Sequence, residues 1–233
     1  MKRDIVLEYL NKNLFKNILL INSINRGTAD IIYSDSKSVI IRELINNTII
    51  ISTDDLEFGK KFIDEYPQND MYTILDKNLA DYAIEKFKFT KNEKCLNAIY
   101  KNKDKYFLDK EDIRILDIEY LDKITEIYKV VDADYIKWEL TNKKIYGLFI
   151  ENKLAGFIGE HKEGSIGLLE VYKEYRNRGI GTKLLKCMIN KKLEKNEIPF
   201  SQIYTDNEVS KKLHKKLNFI VDEDINNINY WVH

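Results

Sequence analysis

Val171-Tyr172-Lys173-Glu174-Tyr175-Arg176-Asn177-Arg178-Gly179-Ile180-Gly181-Thr182-Lys183-Leu184-Leu185 is the stretch that decides how this chain is read. An apolar segment, Ile166 to Val171, runs into a short basic loop. Two glycines separated by one residue follow, and an amphipathic helical pattern starts at once. That order builds an anion cradle. Glycine lets a ligand come close to the backbone, and the N–H groups of the loop and first helical turn point outward as unsatisfied donors. The helix dipole adds partial positive charge at the same place, and Arg176 and Arg178 bring full charges beside it.

Three phosphate motifs compete for this loop. A Walker loop ends in Gly-Lys-Ser/Thr after a four-residue spacer, which Gly179 to Lys183 lacks. A dinucleotide fingerprint needs a third glycine where the chain has Leu184. What remains is Arg-x-x-Gly-x-Gly, set by Arg176, Gly179 and Gly181. Those six residues alone could be an ordinary strand–loop–helix turn. Preceded by the strand and by Val171-x-x-Glu174-Tyr175, the segment resembles the acyl-CoA signature of the GNAT superfamily of N-acyltransferases.

Composition narrows the class. The 233 residues hold 44% hydrophobic and 33% charged side chains, a globular balance with room for one large domain or two ordinary ones. The 38 basic and 38 acidic residues cancel, so no overall basic field points to nucleic acid or an anionic membrane. No apolar run reaches the ~20 residues needed to span a bilayer, and Met1-Lys2-Arg3-Asp4 opens an amphipathic pattern instead of a signal peptide. Cys95 and Cys187 are far apart and neither has a metal-ligand companion, which fits a reduced, cytoplasmic setting without a metal.

The only prolines are Pro67 and Pro199, and no flexible linker interrupts the chain. The charged stretch from Lys101 to Glu111 is the expected boundary, giving an N-terminal α/β lobe over 1–108 and a second domain over 109–233. The second half predicts a β-α-α-β-β-β-α-β-α-β-β order, the one GNAT domains share. Its cradle helix carries Ile180, Leu184, Leu185, Met188, Ile189 and Leu193 on one face, with Lys183, Lys186 and Lys191 elsewhere. Those lysines form a solvated face or help attract phosphates. The first half predicts a similar β-β-β-α-β-α order, but where the cradle would recur it reads Ser52-Thr53-Asp54-Asp55-Leu56-Glu57. Carboxylates there cap a helix and repel phosphate. The expected fold class is therefore α/β with a mixed sheet: a GNAT fold in the C-terminal half beside a degenerate GNAT-like, or other α/β, lobe. A two-lobed chain with one catalytic lobe resembles the glycine N-acyltransferase-like branch.

A second GNAT-like element spans Tyr204 to Phe219. Asn207, Ser210 and His214 make a polar stripe at i, i+3 and i+7, with Val209, Leu213 and Leu217 as the apolar stripe beside it. An amphipathic surface helix capped by Asn207 is the plain alternative.

The resemblance implies attack of a neutral amine on the thioester of acetyl-CoA or another short acyl-CoA. It implies pantetheine along Leu169, Glu170 and Val171, and pyrophosphate over Arg178, Gly179, Ile180, Gly181 and Thr182. Lys173, Arg176 and Asn177 flank that site, and Asn207 with Ser210 lies on the pantetheine side. Glu170 is the favoured base because it stands on the face opposite Leu169 and Val171, where burial would raise its pKa. A satisfied salt bridge is the alternative, and Glu160, His161 and Glu163 are further candidates. His214 occupies the place of the tyrosine that protonates the thiolate in many members, although water can also serve. Tyr128, Asp132, Asp134, Tyr135 and Trp138 would line the pocket of a small-molecule amine or amino-acid acceptor, unless they are ordinary core and surface groups. A catalytically idle acyl-CoA-binding regulator is the alternative function. Oligomeric state and acceptor identity are not readable.

Overall fold

The computed structural model describes residues 2–109 and 111–233; Met1, from the opening of the chain, and Lys110, within the expected boundary, lie outside the described residues. The elements run α1 (Lys2–Asn11), α2 (Leu14–Arg26), β1 (Ala29–Ser34), β2 (Ser38–Glu43), β3 (Thr48–Thr53), α3 (Leu56–Glu65), β4 (Tyr72–Ile74), α4 (Lys77–Phe87) and β5 (Asn92–Tyr100). They continue with β6 (Ile113–Ile115), α5 (Leu121–Ile127), α6 (Ala133–Thr141), β7 (Ile145–Ile150), β8 (Lys153–Glu160), β9 (Ile166–Val171) and α7 (Ile180–Glu194). The chain closes with β10 (Phe200–Tyr204), α8 (Glu208–Lys216), β11 (Phe219–Val221) and β12 (Asn229–Val232). The order α-α-β-β-β-α-β-α-β thus occurs twice, from α1 to β5 and from α5 to β11.

The compact units do not follow a single cut at 108/109. One comprises Met1–Ile99 with Gln202–Lys211 and Val221–His233; the other comprises Tyr100–Ser201 with Lys212–Ile220. The physical reason lies at the C-terminus. Strand β12 enters the first unit's sheet antiparallel to both β4 and β5, pairing Trp231 with Thr73 and with Glu93. Tyr230 and Val232 bury there among Ile49, Ile51, Tyr72 and Ile74. A buried amide network adds direction: Gln202 Nε2 donates to Asn97 Oδ1 (3.2 Å) and Asn229 Oδ1 (2.9 Å), and Trp231 Nε1 donates to Gln202 Oε1 (3.0 Å). Where a cradle might have recurred, Asp55 Oδ1 accepts from Phe58 N–H and caps α3, as its side-chain chemistry directs.

The second unit holds the four-stranded antiparallel sheet β6-β7-β8-β9. One core packs α5 and α6 against it through Leu116, Ile124, Ile136, Leu140, Phe149, Phe157 and Leu168. Helix α7 buries Ile180, Leu184, Leu185, Met188 and Ile189 as its periodicity requires, and also Cys187 and Lys192. Lys192 is 1% exposed because its ammonium lies 2.8 Å from Glu160 Oε2 and 2.7 Å from Glu197 Oε2. Among the described residues no helix is long and apolar enough to cross a membrane.

Candidate functional site

The cradle forms within the second unit. Its backbone turns through two left-handed residues, Asn177 (φ 62°) and Gly179 (φ 75°), and Gly179 is the N-cap of α7. Only glycine takes that conformation without cost from a Cβ. Gly179 has no side chain to cap the helix, and the first turn of α7 carries no acidic residue. The outward N–H groups and the positive end of the dipole therefore meet an anion directly. Lys173, Asn177, Arg178 and Gly179 are exposed and Ile180 is buried beneath them. A Cβ on Gly181 would make ordinary contacts, 3.7 Å from Leu213 Cδ2 and 3.8 Å from Val171 Cγ2. Thr182 is half-buried in the same turn.

The charges around the cradle are arranged differently from the expectation. Arg176 points back to the strand: its Nε donates to the Val171 carbonyl (3.0 Å) and its Nη2 to Glu170 Oε1 (3.1 Å). Glu170 Oε1 also accepts from Val171 N–H (3.1 Å). Burial among apolar neighbours, the rationale for Glu170 as base, is replaced by an ion pair at the strand end. Arg178 lies over the Tyr175 ring, 5.7 Å from its centroid. Lys183 pairs with Glu111 at 2.8 Å, Lys191 with Glu194 at 3.3 Å, and Lys186 sits over Tyr106. These lysines are thus engaged within the fold, not gathered at the cradle.

Among the described residues strand β9 is an edge of its sheet, paired with β8 alone. Phe157 faces Glu170 and Gly159 faces Gly167 across the ladder, so one residue of β8 opposes Leu168 and Leu169. This is a β-bulge, and Leu168 takes it in a left-handed conformation with φ 52°. A leucine there costs on the order of 1 kcal/mol, which its complete burial in the core offsets. The bulge interrupts pairing next to Leu169, Glu170 and Val171 and re-aims their backbone groups. Alternating hydrophobicity carries no sign of such an insertion, so the sequence did not disclose it.

The second constellation divides between the units. In the first, Asn207 Oδ1 accepts from Ser210 N–H (3.0 Å), an N-cap of α8. In the second, His214 is 4% exposed, its Nε2 is 2.9 Å from the buried Ser201 hydroxyl, and its ring meets Phe219 edge-on at 4.8 Å. The expected apolar stripe is corrected at Val209, which is 80% exposed. The buried positions of α8 are Lys211 and His214, continued by Leu217 just beyond it.

On the α5–α6 side, Tyr128 packs edge-on against Phe157, and burial followed by the charge of Glu170 pushes its phenol up to about 12. Asp132 caps α6 by accepting from Tyr135 N–H (2.7 Å), and Asp134 is exposed. The Lys162 ammonium lies over the rings of Tyr135 and Trp138. The Tyr135 hydroxyl is 2.9 Å from His161 Nδ1 and accepts from Lys162 N–H at 3.3 Å. Below this, Glu163 Oε1 accepts from the Ser165 hydroxyl (2.6 Å). Glu139, which the sequence reading passed over, is fully buried, and neither of its oxygens has a hydrogen-bond partner among the described residues. Its burial first, then the charge of Glu163, raises its carboxyl to about 8. Its only sequence signal was an acidic residue at i+3 from Ile136 and i+4 from Tyr135, on the inward face of α6.

Comparison with known proteins bears on the fold. Residues 145–232 match the family model described as FR47-like protein. No curated protein matches the chain by sequence. An X-ray structure of a Drosophila protein superposes with a TM-score of 0.72 at 14% identity, covering 99% of this chain and 95% of that one. A GCN5-related N-acetyltransferase-like protein from Streptococcus suis gives 0.54 at 13% identity, over 97% and 99% of the two chains. An acetyltransferase from the GNAT family of Colwellia psychrerythraea gives 0.53 at 11% identity, over 87% and 83%.

Proposed function

We propose that this chain, whose fold is that of the GNAT N-acetyltransferases, moves an acyl group from acetyl-CoA or another short acyl-CoA to a primary amine of a small molecule or amino acid. The observation that carries the reading is the uncapped N-terminus of α7 behind the left-handed Gly179, placed directly after an open-edged, bulged strand. The residues fit the cofactor. The N–H groups of Gly179, Ile180, Gly181 and Thr182 would hold the pyrophosphate, with Lys173, Asn177 and Arg178 exposed around it. The backbone of Leu169 and Val171 would pair with the pantetheine amides along the open edge. Arg176 would act indirectly, by fixing the loop to Val171. Acyl-CoA supplies the activated carbonyl. The protein's part is to orient it and to accept the proton of the incoming ammonium.

Asn207 Oδ1 accepts from Ser210 N–H as an N-cap in the first unit, and both would lie on the pantetheine side as the resemblance implies. His214 sits inside the protein against Ser201 and Phe219, and water suffices to protonate a thiolate leaving group. The engagement of both Glu170 and His214 favours one second reading, an acyl-CoA-binding regulator without turnover. Release of free thiol in a screen of small amines separates the two readings.

Titration of acetyl-CoA by calorimetry into the wild type and into Gly181→Glu tests the site. The added Cβ meets only ordinary contacts and a glutamate suits the first turn of a helix, so the variant folds. Its carboxylate would occupy the place of the pyrophosphate. Micromolar binding, near −8 kcal/mol, that disappears in the variant supports the reading. Absence of binding to the wild type overturns it.

A further inference from the structure

We propose that His161, seated on Gly167 of β9 and held at Nδ1 by the Tyr135 hydroxyl, is the catalytic proton acceptor for the incoming amine; the inference deepens the acyl-transfer reading and rests on it. The placement is specific. A Cβ at Gly167 would lie 2.2 Å from His161 Nε2 and 2.4 Å from Cδ2, so the imidazole edge rests directly on the strand backbone. Gly167 immediately precedes the Leu168 bulge. Leu169, where the thioester would begin, lies just beyond that bulge, so the ring and the thioester would share one stretch of β9.

The turn that carries the ring is fixed by backbone bonds. His161 N–H donates to the Ser165 carbonyl (2.8 Å) and Gly164 N–H to the His161 carbonyl (2.7 Å). His161 is half-buried, whereas His214 is buried away from solvent. Tyr135 sets the orientation. Its oxygen already accepts from Lys162 N–H, and a phenol oxygen has a second acceptor position and one proton. The proposal requires Nδ1–H to donate to that second position, which leaves the lone pair on Nε2. Burial, and then the charges of Glu163 and Glu139, raise the Tyr135 phenol and keep it protonated. The ionisable groups about the ring are Tyr135 and Glu139 of α6, Lys162 and Glu163 of its own turn, and Lys144 and Glu160 at the adjoining strand ends.

The step balances. The Nε2 lone pair removes one proton from the ammonium, and the freed nitrogen pair forms the C–N bond at the thioester carbonyl. The C–S bond breaks and sulfur takes its electron pair. A second proton leaves the new amide nitrogen and ends on the thiolate, and the imidazolium returns its proton to water. The sum is ammonium plus thioester giving amide, thiol and one proton. Tyr135 is a positioning residue in this scheme.

Two measurements decide it. In the first, diethylpyrocarbonate modification of histidines is followed by peptide mass, with and without saturating acetyl-CoA, alongside calorimetry. His161 is expected to react in the free protein and to be protected about tenfold by acetyl-CoA, while Gly181→Glu shows no protection. Calorimetric binding without protection of His161 overturns this assignment and leaves the acyl-CoA site standing; no calorimetric binding removes the underlying reading. In the second, turnover is followed with the amine that the wild type acylates fastest. His161→Ala should lose about 10²–10⁴-fold in kcat with acetyl-CoA affinity kept within about twofold, and added imidazole should restore part of the rate. Tyr135→Phe should displace the acid limb of the pH profile. A His161→Ala kcat within about threefold of wild type, or no turnover of any amine by a wild type that binds acetyl-CoA, overturns the proposal.

Discussion

Arg176 and Glu170 form an ion pair 3.1 Å apart that ties the loop before α7 to the end of the strand preceding it. The same guanidinium binds the Val171 carbonyl, and the same carboxylate oxygen accepts the Val171 N–H. The pair therefore braces the start of the cradle. Glu170→Gln is expected to leave kcat within about threefold of wild type and to cost at most about 1 kcal/mol, the range of a partly exposed pair. Arg176→Ala should weaken acetyl-CoA binding by loosening the loop. Steady-state kinetics and calorimetry check both, and a hundredfold loss of kcat in Glu170→Gln would restore that residue as the base.

Glu160 and Lys192 make a different kind of pair, buried on both sides and shared with Lys144. Burial alone would raise the Glu160 carboxyl, but the charge of Lys192 and the hydrogen bonds from Lys144 and Lys192 hold it down at about 2. A depressed folded pKa contributes stability that is complete above the unfolded value, near 4.3, and is lost as pH falls toward 2. Lys192→Met should leave Glu160 under-compensated and cost about 3–5 kcal/mol. Urea unfolding at pH 7 and at pH 3 is the measurement. A variant that loses less than 1 kcal/mol at pH 7 would contradict the burial argument.

Glu139 has the opposite sign. Its folded carboxyl is raised to about 8, so the folded state keeps the proton that the unfolded chain releases above about 4.3. Stability should fall between those values, on the order of 1 kcal/mol per pH unit, and the loss should end near pH 8. Glu139→Gln should flatten that slope and raise the melting temperature at pH 8. An unchanged slope in the variant would mean that the group ionises freely in the folded state.

Gly167 tests the ring above it. Gly167→Ala brings a Cβ into the imidazole of His161, which must swing away from Tyr135. Acetyl-CoA affinity should hold within about twofold while kcat falls toward that of His161→Ala. Long-range nitrogen–proton NMR of the imidazole should register the loss of the Tyr135 bond. A displaced ring with wild-type kcat would separate His161 from the chemistry.

The sequence by itself determined the elements and the cradle. The apolar periodicity of Ile180 to Ile189, the alternation of β9 and the pair Gly179 and Gly181 are local instructions, because helix phase, strand phase and left-handed φ are set by neighbouring residues. The capping aspartate Asp55 was legible for the same reason, whereas Asp132, read as lining an acceptor pocket, caps α6. Tertiary structure decided what the local rules leave open. Whether Arg176 faces a ligand or Glu170 depends on how the loop folds back on its strand. Leu168 enters a left-handed bulge because the register of β8 against β9 demands it and the core holds the side chain. Asn97, Gln202 and Asn229 meet across the chain, so β12 completes the sheet of the first half, not of the half that encodes it. His161 and Tyr135 become partners because a hairpin turn and a helix are packed on one core. Each of these contacts joins segments distant in sequence, and such pairings are fixed by burial and hydrogen-bond satisfaction in the assembled fold, about which a local pattern carries no information.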